Sequence, residues 1–390
     1  MLIRSFFDHQ AFEMQTIGGV SRSYVELIRH AKALGCNCVL GVKESDNIYL
    51  KETNLDPRIR PMYSMHNFFF GKRQLFKGQR RLTRQLLDLW GYSNDCWQVN
   101  KDYCVKLLKK QRFDVFEPTF FDPYFLPYLK GKPFVMTVHD MIPELFPKYF
   151  GKDNVQVFQK RKLCPLASHI HVPSERTKED LVSILKVSPD KVTVIPHGGP
   201  EVYLGEQWGE SLFDFPYLLY VGDRYGYKNF TPLLNCFADI VKDHGEVHLV
   251  CTGKAFDEAE RSMIANLNLG DNVVHFFAKQ ETFGSLYHNA IAFVYPSAYE
   301  GFGIPVLEAF AYGCPAMLNE ASCFPEVAGE AAVYFRMNGK ETDFYEKFQY
   351  LYTMSADDRK KLIEKGEERL TRFSWDDSAR KLMDIYKSLV

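Results

Sequence analysis

One stretch, Ala292 to Phe335, does more than any other to restrict what this 390-residue chain can fold into. Ala292 to Tyr295 is an apolar run closed by Pro296, the length of a buried strand. Ser297 to Gly303 is small, polar and glycine-containing, which predicts a loop. Pro305 suits the first turn of a helix, where its missing N–H leaves no bond unmade. Val306, Leu307, Phe310 and Ala311 then recur at helical spacing, Gly313 ends the run, and Cys314 to Leu318 makes the next strand. Glu300 lies on the loop and Glu308 eight residues on, within the helix. The loop delivers the backbone N–H groups of a helix N-terminus, which attract anions. Carboxylates accept hydrogen bonds from sugar hydroxyls and amides face phosphate, so the pair of features suits a nucleotide-sugar. On spacing alone, a helix-capping Glu300 and a solvated Glu308 is the simpler reading.

The same alternation runs through the whole chain. Leu2 to Phe7 and Cys38 to Val42 read as strands. Between them lie the Gly18-Gly19 turn and a helix with Val20, Tyr24, Leu27, Ile28, Ala31 and Leu34 on one face. Strand, glycine turn, helix, strand is a unit of parallel sheet. The G-x-G-x-x-G fingerprint is absent, which argues against a simple NAD enzyme. Phe113 to Glu117, Pro133 to Val138, Ile170 to Val172 and Val192 to Ile195 continue the strands. His139-Asp140 closes one of them, where open α/β sheets place ligands. The turn-rich Pro196 to Pro200 predicts a domain boundary. Beyond it, Tyr217 to Val221, Val247 to Thr252 and Val273 to Phe277 restart the pattern, with Lys228-Asn229 opening a helix. Ser374 starts a capped terminal helix.

Length and charge support two domains. A chain of 390 residues exceeds what one core usually holds, and 46% apolar content rules out a disordered chain. Residues 1–196 carry 30 Lys and Arg against 20 Asp and Glu, leaving 18 and 29 of the chain's 48 and 49 for the rest. Such a basic half would suit an anionic surface or an anionic acceptor. Residues 66–90 read as a basic amphipathic segment suited to an anionic membrane surface, with Lys72, Arg73, Lys77, Arg80, Arg81 and Arg84 interleaved with leucine and phenylalanine; the alternative is an ordinary surface helix whose long basic stems cover apolar neighbours. No apolar run approaches the ~18–20 residues of a membrane span. The opening MLIRSFFDHQ lacks a signal h-region, and nine cysteines fit a reducing compartment. The expected location is cytoplasmic, with peripheral contact to the inner face of the cytoplasmic membrane through residues 66–90.

Several stretches, in order, resemble family 4 of the retaining glycosyltransferases: GGVSR (18–22), TVHD (137–140), VPSERTKEDL, VTVIPHGG, YVGDRYGYKN and, most specifically, the E-x7-E stretch around AYEGFGIPVLEAFAYGCP. The resemblance spans nearly the whole chain. It implies the GT-B fold, an α/β architecture of two Rossmann-like domains whose parallel sheets face a cleft. The first, acceptor-side domain would take residues 1–197 and the nucleotide-sugar domain 198–373, with 374–390 crossing back to the first. It implies that Arg224 and Lys228 bind the diphosphate, that Glu308 accepts ribose hydroxyls, that Glu300 holds sugar hydroxyls and that His139 contacts the donor sugar. Gly18, Gly19, Gly222, Gly301, Phe302, Gly303 and Ile304 would line the donor site. Arg22 would meet an anionic acceptor or the phosphate, and Asp140 the acceptor, unless Asp140 only orients His139 or caps a helix. The sequence departs from the family where Asp223 follows Gly222, where Arg224 stands four before Lys228, and where the linker ends His197-Gly198.

The activity expected is transfer of a hexose from a nucleotide diphosphate sugar to a hydroxyl of a glycan or lipid-linked glycan in surface polysaccharide synthesis. TVHDMIPELFP and VGDRYGYKNF resemble mannosyltransferases of O-antigen or capsule assembly, making GDP-mannose the first donor and UDP-sugars the second. No cofactor, no bound metal and no nucleic acid partner is expected. Two rivals are a nucleotide-sugar 2-epimerase of the same fold and a non-catalytic nucleotide-sugar-binding subunit.

Overall fold

The computed structural model describes residues 3–62, 96–151, 153–200, 208–338 and 341–390. Strands β1 (Arg4–Phe7), β2 (Asn37–Leu40), β3 (Val115–Glu117), β4 (Val135–Thr137), β5 (His169–Val172) and β6 (Val192–Val194) belong to the first half. They run parallel in the orders β2-β1-β3 and β4-β5-β6, joined by a parallel bridge between Phe116 and Phe134. Strands β7 (Tyr217–Tyr220), β8 (His248–Cys251), β9 (Val273–His275), β10 (Ala292–Tyr295), β11 (Ala316–Asn319) and β12 (Ala332–Phe335) form a second sheet, order β12-β11-β10-β7-β8-β9. All its registered pairs are parallel. Every residue of β7, β10 and β11 is buried, as apolar runs covered on both faces by crossover helices must be. The α/β fold with parallel sheets expected from the sequence is thus present.

The helix Gly19–Ala33 buries Tyr24, Val25, Leu27, Ile28 and Ala31, the stripe its spacing predicts. The last helix, Trp375–Leu389, lies on that helix and not on the second sheet. Its Trp375, Ala379, Leu382, Ile385 and Tyr386 share one core with Phe7, Val25 and Ile28. Its start is fixed twice. Ser374 accepts the Asp377 N–H at 3.4 Å, and Ser378 donates to the Pro196 carbonyl at 2.6 Å. Gly198 lets the linker pass, since a Cβ there would stand 2.5 Å from the Trp375 backbone nitrogen. At the other end, the buried Tyr386 hydroxyl donates to Glu117, which also holds His171 at 3.0 Å.

Among the described residues no helix is long and apolar enough to cross a membrane. The basic segment 66–90 lies wholly within 63–95, outside the described residues.

Candidate active site

The carboxyl ends of both sheets meet across a cleft, and two helix N-termini face each other there. A Cβ on Gly19 would touch Ile304 Cδ1 at 3.9 Å. Gly303, just before the helix Ile304–Ala311, takes φ 91°, a left-handed conformation that favours glycine. Neither Gly18 nor Gly303 supplies a side-chain cap. At the first helix the Gln15 side chain accepts the Ser21 N–H at 3.0 Å. Closest of all is Gly301, where a Cβ would stand 1.9 Å from the His139 carbonyl oxygen.

Two loops of the second domain interlock beneath that contact. Residues Gly226–Lys228 make a 3-10 turn and Asn229 takes φ 56°. Asn229 then donates to the Pro296 carbonyl at 3.0 Å, and the Ala298 N–H to the Tyr227 carbonyl at 2.9 Å. This lays Lys228 against Glu300, Nζ to Oε1 2.5 Å, both side chains mostly buried. The Glu300 backbone is itself pinned, its carbonyl accepting from Ser322 at 2.8 Å. Glu308 lies one helix turn beyond Ile304, with Oε1 2.6 Å from Arg22 across the cleft and Oε2 3.2 Å from the Tyr287 hydroxyl.

The structure therefore brings Arg22, Lys228, Glu300, Glu308, Gly301, Gly303, Ile304 and Gly19 around one space, with His139 at its edge. Two side chains part from the roles given to them above. Arg224 has a side chain only 4% exposed, engaged by Glu260 at 2.8 Å and by the carbonyls of Lys254 and Ala255, and close to the rings of Phe230 and Phe256. It is committed to holding the loop after β8 and presents no free guanidinium to a diphosphate. Phe302 turns its ring inward onto His197 and Phe373, so only its backbone borders the cleft. Asp140 takes the helix-end place left open for it, its carboxylate accepting the Ile142 N–H at 2.9 Å at the start of the short helix Ile142–Leu145. Gly18 is extended, its Cα backed by Gln15, and Gly222 takes φ 111° beside the Gly253 backbone.

Some contributors carry no signal in the sequence. The Glu326 carboxylate accepts the N–H groups of Glu175 at 2.8 Å and Arg176 at 3.3 Å, capping a helix of the opposite domain. Ser174 donates to the Gly301 carbonyl at 2.7 Å, and Tyr299 to Asp180 at 2.8 Å. These bonds hold the glutamate loop against the first domain. Tyr287, behind Glu308, was also invisible in the spacing.

Burial pushes the His139 imidazole well below its usual range, helped by His197, His171 and Lys160, and its buried Nε2 has no partner. His197, its ring 6.2 Å away, is pushed down by burial to about 3. Both rings are neutral when folded but would protonate near 6.5 when unfolded. Each therefore favours the folded chain fully above pH 6.5 and loses that contribution as pH falls toward its folded value, by up to about 1.4 kcal/mol per pH unit. The melting temperature should fall steeply from pH 7 to 5. His197→Gln should fall less steeply, and equal slopes would show that His197 is not a source.

Among the described residues, no three His, Cys, Asp or Glu side chains stand close enough to share a metal ion. A model of "Glycosyltransferase Family 4" matches residues 17–199, and one of "Glycosyl transferases group 1" matches residues 210–369. The O-antigen chain mannosyltransferase B of Escherichia coli is 24% identical over 280 residues, covering 68% of this chain and 73% of the relative. The O-antigen chain mannosyltransferase RfbU of Salmonella typhimurium is 27% identical over 213 residues, covering 54% and 58%. A glycosyltransferase from Rickettsia africae superposes with a TM-score of 0.68 at 17% identity, over 100% of this chain and 98% of its own. The Anabaena protein HepE in complex with UDP-glucose gives 0.69 at 14%, over 100% of both chains.

Proposed function

Because the chain belongs to the family 4 glycosyltransferases and has their GT-B fold, we propose that it moves mannose from GDP-mannose to a glycan hydroxyl with retention of configuration. The observation that carries this is the placement of Lys228–Glu300 and Arg22–Glu308 on either side of the Ile304 helix N-terminus. That spacing meets the three parts of a nucleotide-sugar separately. Glu308 takes ribose hydroxyls. The amides at Ile304 and the Lys228 ammonium meet the diphosphate. Glu300, fixed by Lys228 and Ser322, takes hydroxyls of the sugar, and His139 reaches the sugar from the first domain.

The glycosidic bond breaks as charge grows on the departing diphosphate. Lys228 and the helix amides are oriented before that happens, which is the arrangement that stabilises a developing charge. Arg22 adds a second cation from the acceptor side. With these donors in place, leaving-group charge is met without a metal ion. Mannose is supported by the O-antigen mannosyltransferases among the relatives, and UDP-sugars are the next donors to try. The acceptor is a glycan or lipid-linked glycan, and the basic excess of residues 1–196 suits an anionic surface that carries it.

A ligand that binds only the folded chain raises its melting point. GDP-mannose should do so for the wild type. Glu308→Ala should bind GDP about 1–3 kcal/mol more weakly, the value of a hydrogen bond to a charged group. Unchanged GDP affinity in the folded variant would remove the ribose assignment.

A further inference from the structure

We propose that Tyr287 is a positioning residue that aims the Glu308 carboxylate and so sets a preference for ribose over deoxyribose in the donor. The inference rests on Glu308 holding ribose. Tyr287 lies on the helix Phe283–His288 and is fully buried. Its ring stacks on Tyr312 at 5.5 Å and 21°, and meets Phe293 at 5.5 Å, which leaves the hydroxyl little freedom. That hydroxyl reaches Glu308 Oε2 at 3.2 Å. Burial first, and the Glu308 charge second, push the phenol well above its usual range, so it remains a donor.

A carboxylate offers about four lone-pair directions. Arg22 occupies one on Oε1 from the opposite domain, and Tyr287 one on Oε2 from within its own. The two that remain, one on each oxygen, suit a pair of neighbouring hydroxyls such as O2′ and O3′ of ribose. Arg22 sits on the other domain. Tyr287 is the contact that keeps the carboxylate plane fixed relative to the Ile304 helix. A buried tyrosine needs a partner in any case, so the test must separate aiming from mere satisfaction.

Calorimetric titration of wild type, Tyr287→Phe, Glu308→Ala and the double variant with GDP, UDP and their 2′- and 3′-deoxy forms does so. The wild type should prefer the ribose form by about tenfold, and Tyr287→Phe should narrow this to about threefold or less, the range of one net hydrogen bond. Deoxy-form affinity and melting temperature should stay near wild type, and Tyr287→Phe should add nothing on the Glu308→Ala background. Equal loss for ribose and deoxy forms, or a large fall in melting temperature with the preference intact, would overturn the proposal. A wild type that binds GDP or UDP without preferring ribose overturns the Glu308 assignment, and the present inference with it.

Discussion

Lys228→Ala should lower kcat by about 10²- to 10³-fold, the usual effect of removing one donor aimed at charge that develops in the transition state. The donor KM should rise far less, because that charge peaks as the bond to the diphosphate breaks. Lys228 is suited to this by its support. The interlocked loops 222–229 and 296–303 fix its backbone, and Glu300 holds its ammonium at 2.5 Å. Lys228→Arg should restore little, since a planar fork cannot occupy the position of a compact ammonium. Initial rates at saturating donor decide the matter. A folded Lys228→Ala protein with kcat within a factor of about three of wild type would take Lys228 out of the chemistry.

The second large effect is expected at Gly301. A Cβ there would stand 1.9 Å from the His139 carbonyl oxygen and 3.2 Å from Asp140 Cβ. The nearer neighbour is backbone and cannot swing aside, so Gly301→Ala must hold the domains apart. It should also loosen the Ser174 bond to the Gly301 carbonyl. A misplacement of about 1 Å between reacting groups is enough for a 10²-fold loss of rate. Each domain keeps its own core, so the variant should still melt cooperatively and still bind nucleotide through the second domain. Wild-type turnover in Gly301→Ala would mean that close approach of the two domains at this point is not needed.

The fold was largely legible because its strands are buried on both faces and read as uninterrupted apolar runs, such as Tyr217–Tyr220 and Ala292–Tyr295. The helix Gly19–Ala33 was legible because one face carries the apolar residues at helical spacing. Strand ends were less so: Cys38 to Val42 was expected, and the ladder runs Asn37–Leu40. Apolar residues continue past the point where partners stop. The helix expected to open at Lys228-Asn229 starts at Phe230, because Asn229 takes a left-handed conformation. That turn is what directs Lys228 at Glu300.

At the site, the resemblance to the family pointed to the side chains to consider but not to the partners they would choose. Arg224 read as a phosphate ligand, yet its carboxylate partner Glu260 lies 36 positions away, in the first turn of a helix where it also completes a capping box with Asp257. Nothing local in the sequence signals that both roles fall on one residue. Arg22 and Glu308 are 286 positions apart, and Glu326 caps a helix more than 150 positions upstream. Such pairs exist only once two sheets have placed their loops against each other, so periodicity cannot reveal them. Phe302 shows the converse. A phenylalanine between two glycines in a loop looks available to a ligand, and its ring instead fills the seam between His197 and Phe373.

The most direct test of hexose transfer is to incubate the protein with GDP-mannose and with UDP-glucose in EDTA, with and without a glycan acceptor, and follow the release of nucleoside diphosphate. The diphosphate should be released from one of these donors, faster with acceptor, with the hexose appearing on the acceptor. Lys228→Ala should abolish most of that release. A donor that binds but returns as its 2-epimer, that is never consumed, or that is consumed only when Mg²⁺ or Mn²⁺ is restored would rule out metal-independent hexose transfer by this protein.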